Sequence, residues 1–413
     1  MPKIRVAITG IGVLTPHGIG TEALWERSYG EQLSLESITI GAGEHARSVV
    51  AGRIKDFKAE DYVPVKIIRQ TDRSTHMAMA ACRLAMEDAG LNAEQLTSLQ
   101  AGMYFSTLFG GMEFAEPELY AQAHINPDRV SAYQAIAWFY AATQGQWSIL
   151  NGFTGYAKTV VADRAGGLQA LAWAAMAIEQ GHSSVMFAGG FDAPLVPYTM
   201  AIHRTSGLLS PEPVALADAY RPFDMKRCGT VLAEGAGVLM LEEMGHARAR
   251  GAHIYAEIAG SGSCCDRGWS KLGSREVRLA DCVRDALERA RLRPAEVDHI
   301  MAEGLGTQED DATEAEALCQ VFGTHHPTVS VPKSMTGHML SAAGPVDCAW
   351  ACLMMRHKML LPTVSLNDPD RRCGLNHVRR SVRASKLDHI VCVCRGYGGT
   401  NAAIVLRAPA SAA

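Results

Sequence analysis

The chain has 413 residues, 48% of them hydrophobic and 20% charged, with a formal net charge of −4. That is ample apolar material for a large buried core, and the scattered, balanced charge excludes a polyanion-binding surface, so no nucleic-acid partner is expected. No apolar run approaches the roughly 20 residues of a membrane-spanning helix, and no membrane partner is expected either. The opening apolar run, preceded by Lys3 and Arg5, is broken at Gly10, Gly12 and Pro16, too early for a signal peptide. The protein therefore reads as soluble and cytoplasmic. Its 11 cysteines, an odd number with no CxxC spacing, read as reduced and mostly buried thiols, and no metal site is expected. HExxH and GxSxG are absent, which removes the simplest zinc-protease and α/β-hydrolase readings.

In chain order, residues 4–9 predict a strand that runs into a glycine turn at Gly10 and Gly12. A dinucleotide fingerprint would need a third glycine where Thr15 stands, with Pro16 following, so a tight turn is the better reading. Residues 75–89 predict a helix, 102–106 a strand, 166–180 an alanine-rich helix and 184–188 a strand. Strands follow at 238–241 and 255–259, then a helix at 279–290 and a strand at 389–394. This alternation, with no linker-like segment, predicts an α/β fold with sheets covered by helices. Two stretches, 160–181 and 329–355, each pass from a strand through a small-residue turn into an alanine-rich helix. Each is followed by a strand and a glycine pair, Gly189-Gly190 in one case and Gly398-Gly399 in the other. The repetition suggests two related halves, 1–250 and 251–413.

Four ordered motifs carry a resemblance: 4–18 (IRVAITGIGVLTPHG), 221–243 (RPFDMKRCGTVLAEGAGVLMLEE), 331–344 (VPKSMTGHMLSAAG) and 396–401 (GYGGTN). Together they resemble the condensing enzymes, the β-ketoacyl synthases, over nearly the whole chain. The resemblance implies a thiolase-like fold: two similar βαβ-rich halves in a five-layer αβαβα arrangement, assembled as a dimer. A condensing enzyme needs a cysteine at the N-terminus of a buried helix, where unpaired N–H groups favour its thiolate. It also needs two histidines to assist decarboxylation and stabilise the developing oxyanion, and a lysine that orients and polarises the site.

In this chain the cysteine motif is replaced by 162–169 (ADRAGGLQ). Anchoring on Gly167 and Leu168 puts Arg164 at the nucleophile's place, and a slip of one residue would put Asp163 there; neither can form an acyl thioester. The first histidine's run reads Glu303-Gly304-Leu305-Gly306-Thr307, so glutamate replaces histidine. Lys333 and the second histidine, His338, remain. No catalytic set is intact. Arg164 and Glu303 carry opposite charges at places that converge in a working enzyme: two readings stand, a buried ion pair that plugs the site, or drift at a site no longer selected for catalysis. Glu234 resembles a structural acid of the fold, and Tyr397 stands where a gating phenylalanine is usual.

This pattern of loss resembles the chain-length factors of type II polyketide synthases, as do 110–114 (GGMEF), 137–141 (AWFYA) and 145–149 (GQWSI). The resemblance implies a ketosynthase-like subunit that pairs with a catalytic ketosynthase, shapes the polyketide tunnel and sets the number of malonyl condensations. An aromatic product is favoured over a reduced polyene. Met112, Ala115 and Leu119 would line the tunnel's far end, and the region of Trp138, Phe139 and Tyr140 would face the partner. No cofactor would be bound; phosphopantetheine would arrive on acyl carrier protein, delivered to the partner. The rival reading is a stand-alone decarboxylase or acyltransferase of altered chemistry using Glu303 and His338.

Overall fold

The computed structural model describes residues 4–267 and 277–409. Five strands on the main path of the large sheet come from the first part of the chain: β1 (Val6–Thr15), β2 (Gly102–Ser106), β3 (Ala157–Val160), β4 (Val185–Asp192) and β5 (Gly235–Glu243). Five more follow: β6 (Ala256–Cys265), β7 (His299–Met301), β8 (Thr328–Ser330), β9 (His389–Arg395) and β10 (Thr400–Arg407). They line up as β3-β2-β4-β5-β1-β6-β10-β9-β7-β8, with the short strand Asn376–His377 beyond β8. β1 and β6 join through only three residue pairs, from Val6 with Ile258 to Ile8 with Ala256. Outward from that joint the same pattern runs both ways: two antiparallel pairings, then two parallel ones.

The helices that matter here are α1 (Arg73–Asp88), α2 (Met112–His124), α3 (Gly166–Glu179), α4 (Leu279–Ala290), α5 (Gln308–Phe322) and α6 (Ala343–His357). α3 and α6 pack against each other between the two halves of the sheet. α6 is buried without interruption from Ala343 to Met355, as a helix apolar on every face must be. The strands sort their side chains with period two. On β5, Leu239 and Leu241 face the central helices while Val238 and Met240 face α1. On β9, Ile390 and Cys392 face the centre while Val391 and Val393 face α4. Three apolar clusters, the central one filling both sides of α3 and α6, therefore hold five structural layers together: α1, sheet, α3 with α6, sheet, α4. This is the five-layer thiolase-like arrangement.

The glycine turn expected after residue 9 is not there. β1 continues through Gly10 and Gly12 to Thr15. A Cβ on Gly12 would stand 1.9 Å from the Ala81 carbonyl oxygen, and one on Gly10 2.2 Å from that of Ala85. These glycines let α1 lie directly on the strand. Gly189 and Gly190 likewise sit inside β4 rather than after it. Glu234 accepts the Ile54 N–H at 2.8 Å and two bonds from Arg73, tying the start of α1 to the segment before β5.

Candidate functional site

Between β3 and α3 the chain makes a sharp turn. Asp163 sits at φ 50, a region that aspartate tolerates better than most residues. Its carboxylate turns away and accepts the N–H of Tyr397. The side chain that enters the site is that of Arg164, which is only 4% exposed. Its Nε donates to the Arg395 carbonyl at 3.0 Å and lies 3.3 Å from Glu303 Oε1. The two charges thus meet, although a cation at a helix N-terminus opposes the helix dipole. Burial works against the guanidinium's charge, but the Asp163 and Glu303 carboxylates outweigh it and hold Arg164 charged. The glycines that follow are required by packing. A Cβ on Gly167 would stand 2.0 Å from the Ser341 carbonyl oxygen, and one on Gly166 2.1 Å from Ser106 Oγ.

Glu303 follows β7 in the glycine loop, and α5 holds that loop by its backbone. Glu314 Oε1 and Oε2 accept the N–H groups of Glu303 and Gly304 at 2.7 and 2.9 Å. Asp311 Oδ1 accepts that of Gly306 at 2.8 Å. Asp311 and Glu314 are three residues apart, on one face of α5. Sequence reasoning named neither; two acids on one helical face just after a glycine loop were the available signal.

The Glu303 carboxylate is enclosed by cations and a histidine. Oε1 lies 3.0 Å from His338 Nε2, and Oε2 lies 4.0 Å from Lys333 Nζ. The Leu340 N–H donates to His338 Nδ1 at 3.1 Å. The ring proton is therefore on Nε2, pointing at Glu303. Lys333 Nζ lies 2.6 Å from Asp347 Oδ2 and donates to the carbonyls of Ala302 and Glu303 at 2.9 and 3.2 Å. Burial alone would push the Glu303 carboxyl up, but His338, Lys333 and Arg164 together hold it down at about 2. Burial pulls His338 below the usual histidine range despite Glu303 beside it, so the ring is neutral. Cys394 also approaches Glu303, but burial and that carboxylate push its thiol well above the ordinary value, away from thiolate.

A cleft of about 430 Å³ leads to this network, lined by Arg164, Leu208, Glu303, Asp310, Arg395 and Tyr397. At its floor Arg164 and Glu303 are paired with each other. The arrangement offers no thiolate; the carboxyls that burial pushes up to about 7, Glu314 and Asp347, are taken up by the backbone N–H groups of Glu303 and Gly304 and by Lys333.

The other residues singled out from the sequence lie elsewhere. Met112, Ala115 and Leu119 share one face of α2, where Met112 and Ala115 are buried and Leu119 is 49% exposed. Trp138 and Phe139 are exposed and Tyr140 partly so. The two segments touch, since a Cβ on Gly111 would stand 1.9 Å from the Ala137 carbonyl oxygen. β3 is the end strand of the sheet. Large apolar side chains are exposed on it and its packing neighbours: Tyr156 and Val161 at its ends, Trp173 and Met176 on α3, and Ile149 and Leu150 on the helix Ala142–Asn151. Among the described residues, no helix is long and apolar enough to cross a membrane.

A fold in two topologically matching halves, with the arginine before a buried helix linked through a glutamate to a histidine and a lysine, defines a class. Residues 3–247 match the model of the β-ketoacyl synthase N-terminal domain and residues 255–367 that of the β-ketoacyl synthase C-terminal domain. The chain belongs to the β-ketoacyl synthase family. It is 36% identical to the tetracenomycin polyketide synthase ketoacyl synthase beta subunit of Streptomyces glaucescens, covering 97% of this chain and 98% of that one. The ishigamide ketosynthase/chain length factor structure matches 99% of this chain and 100% of its own, with a TM-score of 0.90 and 28% identity. The AntDE:AntF structure, a type II PKS acyl-carrier protein in complex with its ketosynthase bound to the hexaketide, matches with a TM-score of 0.87 and 27% identity, covering 98% of this chain and 100% of that one.

Proposed function

We propose that this chain is the chain-length factor of a type II polyketide synthase, a non-condensing subunit that pairs with an active ketosynthase. The observation that carries this reading is Arg164. It occupies the place of the acyl-accepting cysteine and is held there by Glu303 at 3.3 Å. A guanidinium cannot form a thioester, so condensation belongs to the partner. The names of the ketoacyl synthase beta subunit and of the ketosynthase/chain length factor support the assignment. The apolar surface around β3 suits an obligate partner, because an unpaired edge strand flanked by exposed aromatic and aliphatic side chains is a surface that proteins cover.

In this reading residues 1–250 and 251–413 are the two ketosynthase-like halves, and the protein works in the cytoplasm. Acyl carrier protein, bearing phosphopantetheine, brings malonyl units to the partner's cysteine. The α2 face formed by Met112, Ala115 and Leu119 closes the far end of the tunnel, and Trp138, Phe139 and Tyr140 belong to the surface that meets the partner. Arg164, Glu303, Lys333 and His338 form a plug rather than a catalytic set. A stand-alone decarboxylase would need Glu303 or His338 free to move a proton. Glu303 is held ionised at about 2 and His338 is engaged on both ring nitrogens.

The test is the intact mass of both subunits after exposure to malonyl- and acyl-carrier protein. The acyl mass is expected on the partner alone. An acyl adduct on this chain, with or without the partner, would overturn the proposal.

A further inference from the structure

α2, the helix read above as the end of the tunnel, has no side-chain cap of its own; its N-cap residue is Gly111. Two buried carboxylates from elsewhere fix its entry. Asp72 Oδ2 accepts the Phe114 N–H at 2.8 Å while its other oxygen caps α1 through the Ser74 N–H at 2.7 Å. The second is Asp192, the last residue of β4, which is fully buried.

Asp192 Oδ1 accepts three donors from the loop that leads into α2: the Thr107 hydroxyl and Leu108 N–H at 2.9 Å, and the Phe109 N–H at 3.2 Å. Thr107 Oγ1 in turn accepts the Gly110 N–H at 3.0 Å, which carries the constraint to the residue before the N-cap. Asp192 Oδ2 faces the other way and accepts the Ser341 N–H at 2.9 Å. Ser341 is the residue whose carbonyl abuts Gly167, and its hydroxyl donates to the Asp163 carbonyl at 3.3 Å. One carboxylate therefore ties the entry of α2 to the turn that carries Arg164.

We propose that Asp192 is a positioning residue for product length: it sets where α2 stands relative to the centre of the subunit, and so where the tunnel ends. This rests on the chain-length reading above. The side chain touches no substrate and acts through the loop 107–111. A carboxylate suits this role because its two oxygens accept from two opposed loops; an amide presents an acceptor to only one of them. Small displacements of a group that bounds a growing chain alter selection strongly, since one chain unit is a fixed length.

The experiment uses the heterodimer with its ketosynthase and carrier protein, and reads the distribution of product chain lengths by mass spectrometry beside the melting temperature. Asp192→Asn is expected to raise the share of off-length products severalfold. Thr107→Val, which removes one donor and the relay to Gly110, is expected to do the same to a smaller degree and covers the case in which Asp192→Asn does not fold. Glu242→Gln is the comparison, a buried carboxylate on β5 engaged by Thr9 and Arg250 far from α2; it is expected to lower the melting temperature without changing product length. Leu119→Trp tests the underlying reading by filling the exposed end of the α2 face, and is expected to shorten the product. If Leu119→Trp shortens the product while the Asp192 and Thr107 variants change only stability, as Glu242→Gln does, the positioning role is overturned and the chain-length reading stands. If Leu119→Trp leaves the length unchanged, the chain-length reading falls and the positioning role falls with it.

Discussion

Replacing Arg164 by methionine keeps most of the side chain's length and removes only the guanidinium. Glu303 is 2% exposed and Arg164 4%, so the change leaves a buried carboxylate short of one counter-charge. Breaking a buried pair from one side costs about 3–5 kcal/mol. Here the lower end applies, about 3 kcal/mol, because Glu303 keeps His338 at 3.0 Å and Lys333 at 4.0 Å. Glu303→Gln strands the other partner: Arg164 keeps Asp163 at 3.8 Å and the Arg395 carbonyl at 3.0 Å. Its cost should be of the same order. The double variant Arg164→Met/Glu303→Gln leaves neither charge unmatched, so its loss should fall short of the sum by about 1–3 kcal/mol. The assay is urea unfolding of the heterodimer at one fixed subunit concentration, since binding to the partner contributes to apparent stability. Additive losses, with a coupling below about 0.5 kcal/mol, would refute the claim that the two replacements form one unit.

Two further outcomes follow from the same geometry. Glu303 is depressed from 4.5 to about 2, so its contribution is complete above about pH 4.5 and is lost as pH falls toward 2. Urea titrations at stepped pH should show the gap between the native chain and Glu303→Gln narrowing over that window, by up to about 3 kcal/mol; a gap independent of pH would contradict the depressed value. Gly167→Ala places a methyl 2.0 Å from a backbone oxygen, where neither α3 nor the loop before α6 has a flexible side chain to move. A loss of about 2 kcal/mol or more in thermal unfolding is expected, and an unchanged melting temperature would show that α3 starts elsewhere.

Much of this was legible from residue order because the condensing-enzyme motifs are also packing motifs. The strand at 102–106 and the helix at 279–290 stand where their periodicity puts them. β1 was read too short because glycine signals a turn in sequence, whereas Gly10 and Gly12 here serve a close helix–strand contact that only the fold reveals. β7 and β8 span three residues each, too few for alternation to register. In the site, the motif glycines fixed the register of Arg164, Glu303, Lys333 and His338. Asp192, Asp311 and Glu314 were harder to see for a different reason: each binds backbone N–H groups, which every residue has, so nothing in the partner's identity marks the pair, and only the spacing of Asp311 and Glu314 after the glycine loop hinted at their role.

The kept residues take on a meaning that sequence alone could not assign. Lys333 and His338 are the two catalytic positions that remain, yet both now face Glu303, and Lys333 also pairs with Asp347 at 2.6 Å. Around Glu303, Arg164 and Lys333 are cations and His338 is neutral, while burial pushes Asp347, beside Lys333, up to about 7. Changing the cysteine to arginine alone would have left a net buried cation at a helix N-terminus. Changing the histidine to glutamate alone would have left the carboxylate short of a cation. Either intermediate carries a penalty of several kcal/mol, whereas the pair together does not. Arg164 and Glu303 are therefore best understood as one replacement made at two positions, and Lys333 and His338 persist because that replacement still needs them.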